Sequence, residues 1–397
     1  MLVVISVIAD ANHHWVMADD TGKVSKFDEL NWHGFLSQGF SFTNKNNFLG
    51  PSENGSFKFN EAALNASWRP LNEVQLSAQV LYKQIGNSKP NGTELDYGVI
   101  DWRLVDNFNR GFGLRIGRLK NPYGFFNETR DVASTRPSLL LPESIYVDYL
   151  RTLIHSSDSV GLYGHQELEQ GTISVSAVYG VPILNEQNVD TLVQAKTSGN
   201  MKHERSSAAR ISYEDGSGLW RTAFSYISFE GDFKAGPQEA SKFIFDGKLN
   251  IQQQLFSVEL NWNHWQFISE YQFRNIESLG IRGMDLKSNG VGYYCQFGYQ
   301  FGSVLKVYLR QDNVYLNKND KSGKSYSQST GGLLPARDAF AKDSTIGLIY
   351  SPSLNWSFGL EVHRVNGTLW LPNIENPAPQ NASQQWNMFL AQVAYQF

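Results

Sequence analysis

Read with a period of two, the polar sides of a long series of alternating segments carry Arg69, Arg103, Arg115, Arg210, Arg274, Lys306 and Arg310. They also carry Glu61, Asp101, Glu214, Glu259, Glu270, Asp312 and Glu361. Charges that recur on one side of consecutive strands can line an aqueous wall. In a narrow, partly desolvated passage, fixed charges of one sign set an ion preference. The long connection 121–158 adds Arg130, Arg136 and Arg151, with Glu128, Asp131, Glu143 and Asp148. For any one of these charges the plainer account is cross-strand ion pairing that solvates the wall. Because both signs are present in similar number, the expectation is weak selectivity, with a modest anion preference if the loop arginines are unpaired.

Other chemistry is thinly supported. His155, His165, His203, His264 and His363 could serve as bases, but no spacing ties one of them to a particular serine, so an enzyme is not expected. The stretch Gly323-Lys324-Ser325 hints at a phosphate loop, yet position 318 is Lys where the leading Gly belongs. No zinc or calcium ligand pattern occurs, His13-His14 reads as a solvated pair, and no cofactor is expected. A net charge of −4 leaves no nucleic-acid footprint. The single Cys295 excludes an intrachain disulfide framework.

The elements that must position these charges are strands. In 397 residues there is no apolar run of 18 or more, so no bilayer-spanning helix is encoded. Alternating segments fall at 32–43, 57–69, 74–83, 95–105, 111–120, 159–166, 171–180, 204–215, 218–230, 252–263, 265–275, 290–301, 303–315, 343–351, 354–366 and 385–397. In the second, the apolar phase shifts from Phe57 and Phe59 to Leu64, Ala66 and Trp68, which predicts a bulge near Asn60. The connections alternate short and long, the long ones near 44–56, 84–94, 121–158, 181–203, 231–251, 276–289, 316–342 and 367–384. A soluble sandwich has no reason to gather every long loop at one end. A transmembrane antiparallel β-barrel of sixteen strands does, with short periplasmic turns and long extracellular loops. Aromatic residues make up 13% of the chain, which suits interfacial girdles. The expected fold class is therefore all-β, with lipid outside, water inside and no packed core of the usual kind. Trp262, Phe267, Tyr293, Phe297, Leu305, Val307, Leu309, Leu348, Trp356, Phe358 and Leu360 are expected to face lipid, and Cys295 with them.

At the amino end, Leu2–Ala9 followed by Ala9-Asp10-Ala11 predicts the end of a secretory signal over 1–11, against a short buried strand. Residues 12–31 then form a periplasmic lead-in and 32–397 the barrel. The third connection is too apolar for a solvated tail and is expected to fold into the lumen. Pro122 ends its strand. Arg130 and Arg136 would then approach Lys306 and Arg310, or Glu259 and Glu270. Arg118 has outward parity and needs a bulge or a place at the rim.

Three stretches resemble the phosphate-selective porin O and P family: Leu114-Arg-Ile-Gly-Arg-Leu-Lys-Asn-Pro-Tyr-Gly124 with Thr129-Arg-Asp131, Val258–Tyr271, and the closing Ala391-Gln-Val-Ala-Tyr-Gln-Phe397. The resemblance implies a sixteen-strand outer-membrane barrel, homotrimeric, that passes small hydrophilic solutes or anions across the outer membrane of a Gram-negative bacterium. The family's lumen is basic, whereas the charges here are balanced, so phosphate selectivity does not follow. The alternative is a barrel with a non-transport role, as a surface adhesin, an assembly partner or a lipid-acting enzyme.

Overall fold

The computed structural model describes residues 30–87, 91–148, 151–193, 196–237 and 239–397. The expected signal over 1–11 and residues 12–29 of the lead-in lie outside them. Among the described residues sixteen strands form one closed antiparallel barrel. They are β1 Asn31–Thr43, β2 Ser56–Leu71, β3 Val74–Ile85, β4 Gly92–Asn107, β5 Arg110–Lys120, β6 Ser156–Leu168, β7 Gly171–Pro182 and β8 Asn200–Asp215. β9 Trp220–Lys234, β10 Gly247–Trp262, β11 Trp265–Leu279, β12 Leu286–Phe301, β13 Leu305–Tyr315, β14 Phe340–Tyr350, β15 Trp356–Gly367 and β16 Gln385–Gln396 complete the wall. Short helices α1 Arg151–His155, α2 Glu186–Val193 and α3 Lys324–Ser329 sit in long loops.

Each strand pairs with its sequence neighbours, and β1 pairs with β16 from Phe35↔Gln396 to Thr43↔Met388. Gly34 and Phe397 exchange backbone hydrogen bonds of 3.0 Å and finish that seam. Closure removes the edges and leaves no ladder open to hydrocarbon. The turns at one end are tight. Between Trp262 and Trp265, for example, Asn263 takes φ 53°, a left-handed conformation that asparagine tolerates.

Parity follows the alternation. Trp262, Phe297, Leu309, Trp356, Phe358 and Leu360 are exposed on the outside, Phe267, Tyr293, Leu305, Val307 and Leu348 share that face, and Cys295 is exposed with them. The bulge expected near Asn60 lies two or three residues earlier, where the β1–β2 register shifts between Gly39↔Phe59 and Ser41↔Ser56.

Two expectations need correction. Several strands run further toward the long-loop end than the alternation does, so the connections expected at 84–94 and 276–289 shrink to 86–91 and 280–285. Above the membrane both faces of a strand meet water, so the ladder continues where the apolar signal has ended. The interior also holds packed apolar cores. One joins Phe48, Leu139, Leu140, Trp370, Trp386 and Leu390, another Tyr123, Leu141, Tyr146, Leu255 and Tyr294, and a third Leu153, Val193, Phe233 and Leu249. Long loops folded inward replace lumen water, so inward positions such as Leu255 and Leu390 can be apolar.

The parity has a direct test. Val307→Arg puts a charge on the outer face beside Leu348 and Tyr299, and unfolding in lipid vesicles should show a loss of about 2–4 kcal/mol if the site is near the midplane. Lys306→Ala, one residue away, should leave stability nearly unchanged.

Candidate functional site: the third loop in the lumen

The loop leaves β5 at Asn121-Pro122, where a neck is tied by hydrogen bonds. The Asn121 backbone N–H donates to the His155 carbonyl at 2.8 Å, and its side-chain amide donates to the Ile154 carbonyl at 2.8 Å. Asn127 Nδ2 donates back to the Asn121 carbonyl at 2.9 Å. The loop then crosses the barrel and is held by wall carboxylates, among them Glu270, Glu361 and Glu61, with Asp312 of β13 also accepting the Ser144 N–H at 3.3 Å.

Glu270 of β11 accepts the Tyr146 hydroxyl at 3.0 Å and the Phe125 N–H at 3.1 Å, with Ser257 and Tyr294 donating to it as well. Gly124 beside it has φ +60°, and a Cβ there would collide with the Tyr146 hydroxyl and with Glu270. Its carbonyl accepts from Arg210 at 2.8 Å.

Glu361 of β15 accepts the N–H groups of Leu139 and Leu140 at 3.0 and 3.1 Å, and the Tyr308 hydroxyl at 2.5 Å. Arg310 donates to Ser138 Oγ and the Leu140 carbonyl, both at 2.8 Å. His363 lies between Asp343 at 2.8 Å and Glu361 at 3.1 Å with no exposure, so it cannot meet a substrate.

Glu61 of β2 is the third point. It pairs with Arg136 and, at 2.7 Å, with Arg151. Around it Asp131 pairs with Arg151 and Lys120, Lys120 reaches Asp96 at 2.8 Å, and Arg130 pairs with Asp148 at 2.6 Å. Lys83 and Glu94 form a further pair at the edge. Taking one charge from such a buried set strands its partner without water.

Asp96, Asp131 and His155 place three ligand atoms within 4.8 Å of one another, which is metal-site geometry. The Lys120 ammonium already bridges the two carboxylates and supplies the positive charge an ion would bring. Burial, together with Lys120 and Arg151 nearby, drives the His155 pKa down to about 3, so it is neutral at ordinary pH. Burial likewise pushes the Glu143 carboxyl well above the usual range.

Arg130 and Arg136 therefore meet the β2 side of the barrel and other loop residues. They do not meet Lys306, Arg310, Glu259 or Glu270, as the sequence reading expected. Those wall residues are engaged by other parts of the loop, with which Glu270 and Arg310 form latches, or by their own neighbours. Lys306 donates to Gln266 at 2.6 Å, and Glu259 pairs with Arg221 at 2.5 Å. Arg221, not singled out in the sequence, lies over the Phe125 ring at 4.4 Å. Its parity beside Ala223 and Ser225 could have found it. Asp96 was hidden by the register shift at Gln79/Val80, which inverts parity locally.

Below the loop, toward the short turns, the lumen is a solvated vestibule. Arg115 pairs with Asp101 at 2.8 Å and stacks over Tyr163 at 4.0 Å. Arg103 pairs with Asp106 at 2.8 Å, Arg210 with Glu128, and Arg69 donates to Gln75 at 3.1 Å. Arg274 lies apart, lining an apolar cavity of about 60 Å³ between the third loop, α2 and the β8–β11 wall.

At the height of the loop each of the sixteen strands contributes a buried inward residue, among them Ser41, Glu61, Leu81, Asp96, Leu119 and Ser157, continuing round to Glu361 and Leu390. The lumen is filled there. The least buried members of the charge cluster are Glu94, Asp148 and Lys120, at 24%, 14% and 13% side-chain exposure. The seal is thinnest along β3–β5.

Glu61→Ala leaves Arg136 and Arg151 buried without a counter-charge, and unfolding should show a loss of about 3–5 kcal/mol. Asp106→Ala breaks an exposed pair and should cost no more than about 1 kcal/mol. The depressed pKa of His155 gives a pH dependence. The unfolded chain binds a proton near pH 6.5 that the folded chain refuses until about pH 3, so this residue lowers stability as pH falls through that window. In His155→Gln the acid-induced loss of stability between pH 7 and 4 should be smaller than in the unaltered chain.

No family model matches the sequence, and no curated protein matches it. Solved structures do. OmpT of Vibrio cholerae is 12% identical over 93% of this chain and 97% of its own, with a TM-score of 0.55. An anion-selective porin from Comamonas acidovorans is 10% identical over 93% and 99%, with a TM-score of 0.56. The outer-membrane channel DcaP of Acinetobacter baumannii is 11% identical over 93% and 97%, with a TM-score of 0.54. At such identities the likeness is one of fold, and the fold is that of a sixteen-strand outer-membrane barrel of the porin type.

Proposed function

We propose that the chain is an outer-membrane porin of a Gram-negative cell that passes small hydrophilic solutes or ions through a lumen narrowed by its third loop. The observation that carries this reading is a closed sixteen-strand barrel whose third loop crosses the lumen, with the least buried ion pairs, Lys83–Glu94, Lys120–Asp96 and Arg130–Asp148, above a wall of charged side chains. A charged or strongly hydrogen-bonding solute can replace one partner of a pair as it enters, so the site is not left uncompensated. The neighbours described as an anion-selective porin and an outer-membrane channel support the reading. A neighbour described in a trimer form agrees with a homotrimer.

Selectivity should be weak. An anion preference required unpaired loop arginines, and Arg130, Arg136 and Arg151 are all paired. That argues against phosphate selectivity, which the short motif resemblance alone would suggest. The filled lumen favours one second reading, a barrel with a non-transport role such as an adhesin or assembly partner. Catalysis has no support from His155 or His363, both of which are buried and engaged.

Planar-bilayer recording separates the two. The unaltered chain should give small, stepwise unitary currents with a reversal potential near zero in a salt gradient, and deleting residues 128–150 should enlarge the steps. Arg130→Glu with Arg136→Glu should move the reversal potential toward cations. A folded barrel that stays silent both with and without the deletion would favour the non-transport role.

A further inference from the structure

The cavity of about 60 Å³ between the third loop, α2 and the β8–β11 wall has an apolar body and polar flanks. Ile145 of the loop, Leu192 of α2, and Ile227 and Ile251 of the wall make the body. On one flank Arg274 of β11 stands beside its register partner, Gln253 of β10. Both lie in the halves of their strands nearer the long loops. Gln253 accepts Gln272 Nε2 at 3.0 Å through its oxygen, which leaves its own amide hydrogens to donate. Among the described residues that line the cavity there is one cation and no carboxylate. On the opposite flank the Ser206 hydroxyl of β8 is buried, with no hydrogen-bond partner among the described residues.

These groups define an occupant. A guanidinium in a low-dielectric lining favours a single negative charge, and its fork of N–H donors matches a carboxylate. The isoleucines and Leu192 favour an apolar tail. They would leave the second charge of a dianion such as phosphate uncompensated. The space is smaller than the cavity of about 150 Å³ that takes a benzene ring, so the tail is a chain of a few carbons. A buried hydroxyl without a partner is rare in native interiors, so Ser206 marks a space that takes up a polar group from outside the chain. We propose that this cavity binds a short aliphatic monocarboxylate, with the carboxylate on Arg274 and Gln253 and the tail among Ile227, Ile251 and Leu192. The use of the site rests on the reading of the chain as a porin. On the long-loop side it collects the solute before the ion pairs of the constriction are met. The binding itself does not depend on that reading.

Isotope-labelled butyrate, titrated against the folded barrel in detergent micelles at neutral pH, tests the site through broadening of its carboxyl signal. Binding should be saturable in the millimolar range, and excess phosphate, n-butanol or benzoate should not displace it. Arg274→Met should weaken binding by about tenfold or more, the scale of a lost hydrogen bond to a charged group. Ile251→Phe, which fills the space and keeps the arginine, should weaken it as much. Heat-modifiable gel migration shows that each variant is folded. The proposal is overturned if the unaltered barrel binds no butyrate, if any of the three competitors displaces it, or if either folded variant binds as the unaltered chain does. Conductance is read separately. A barrel that binds butyrate but carries no current counts against the channel and not against the site, and one that conducts without binding it counts against the site alone.

Discussion

A backbone amide left unpaired in hydrocarbon costs several kcal/mol, and everything in this molecule follows from avoiding that cost. The β1–β16 seam is where the constraint is met last. Nine register pairs and the exchange between Gly34 and Phe397 turn a sixteen-strand sheet into a cylinder without edges. Once closed, the wall has a fixed outside and a fixed inside, and side-chain parity becomes a statement about solvent. The short turns set one end, and the long loops are free to be used for function at the other.

The interior then poses a second problem. A barrel of this size encloses space that water or protein must fill, and here much of the loop chain goes inward. The third loop is bound by wall carboxylates on β2, β11 and β15, so its position is set by directional hydrogen bonds as well as by apolar packing. Two of those anchors, Glu270 and Glu361, accept backbone N–H groups that a loop crossing a lumen would otherwise bury unpaired. The third, Glu61, collects arginines into a nearly neutral cluster. Such a cluster can rearrange only if something else supplies the missing charge.

Most of the wall was legible in the sequence because a lipid-facing strand must alternate. Phe112, Leu114 and Ile116 announce β5 and put Arg115 inside without any knowledge of its partner. What was not legible is long-range. Nothing in the spacing of Arg130 and Arg136 says that they meet Asp148 and Glu61 and not the opposite wall, since loop geometry decides that. Asp96 was masked by a one-residue register shift, which reverses parity over a short span. The apolar interior was missed for the opposite reason: Leu255 and Leu390 look like ordinary strand residues until loops are found to cover them.

The account stands on the third loop lying packed across the lumen, and thiol accessibility tests that most directly. In a Cys295→Ser background, a cysteine at Glu128 faces the vestibule, whereas one at Ser138 lies under the Arg310 and Glu361 latch. The account predicts that a small water-soluble thiol reagent modifies position 128 readily and position 138 far more slowly in the folded barrel. Equal rates at the two positions would show that the loop does not pack against the wall, and would contradict the account.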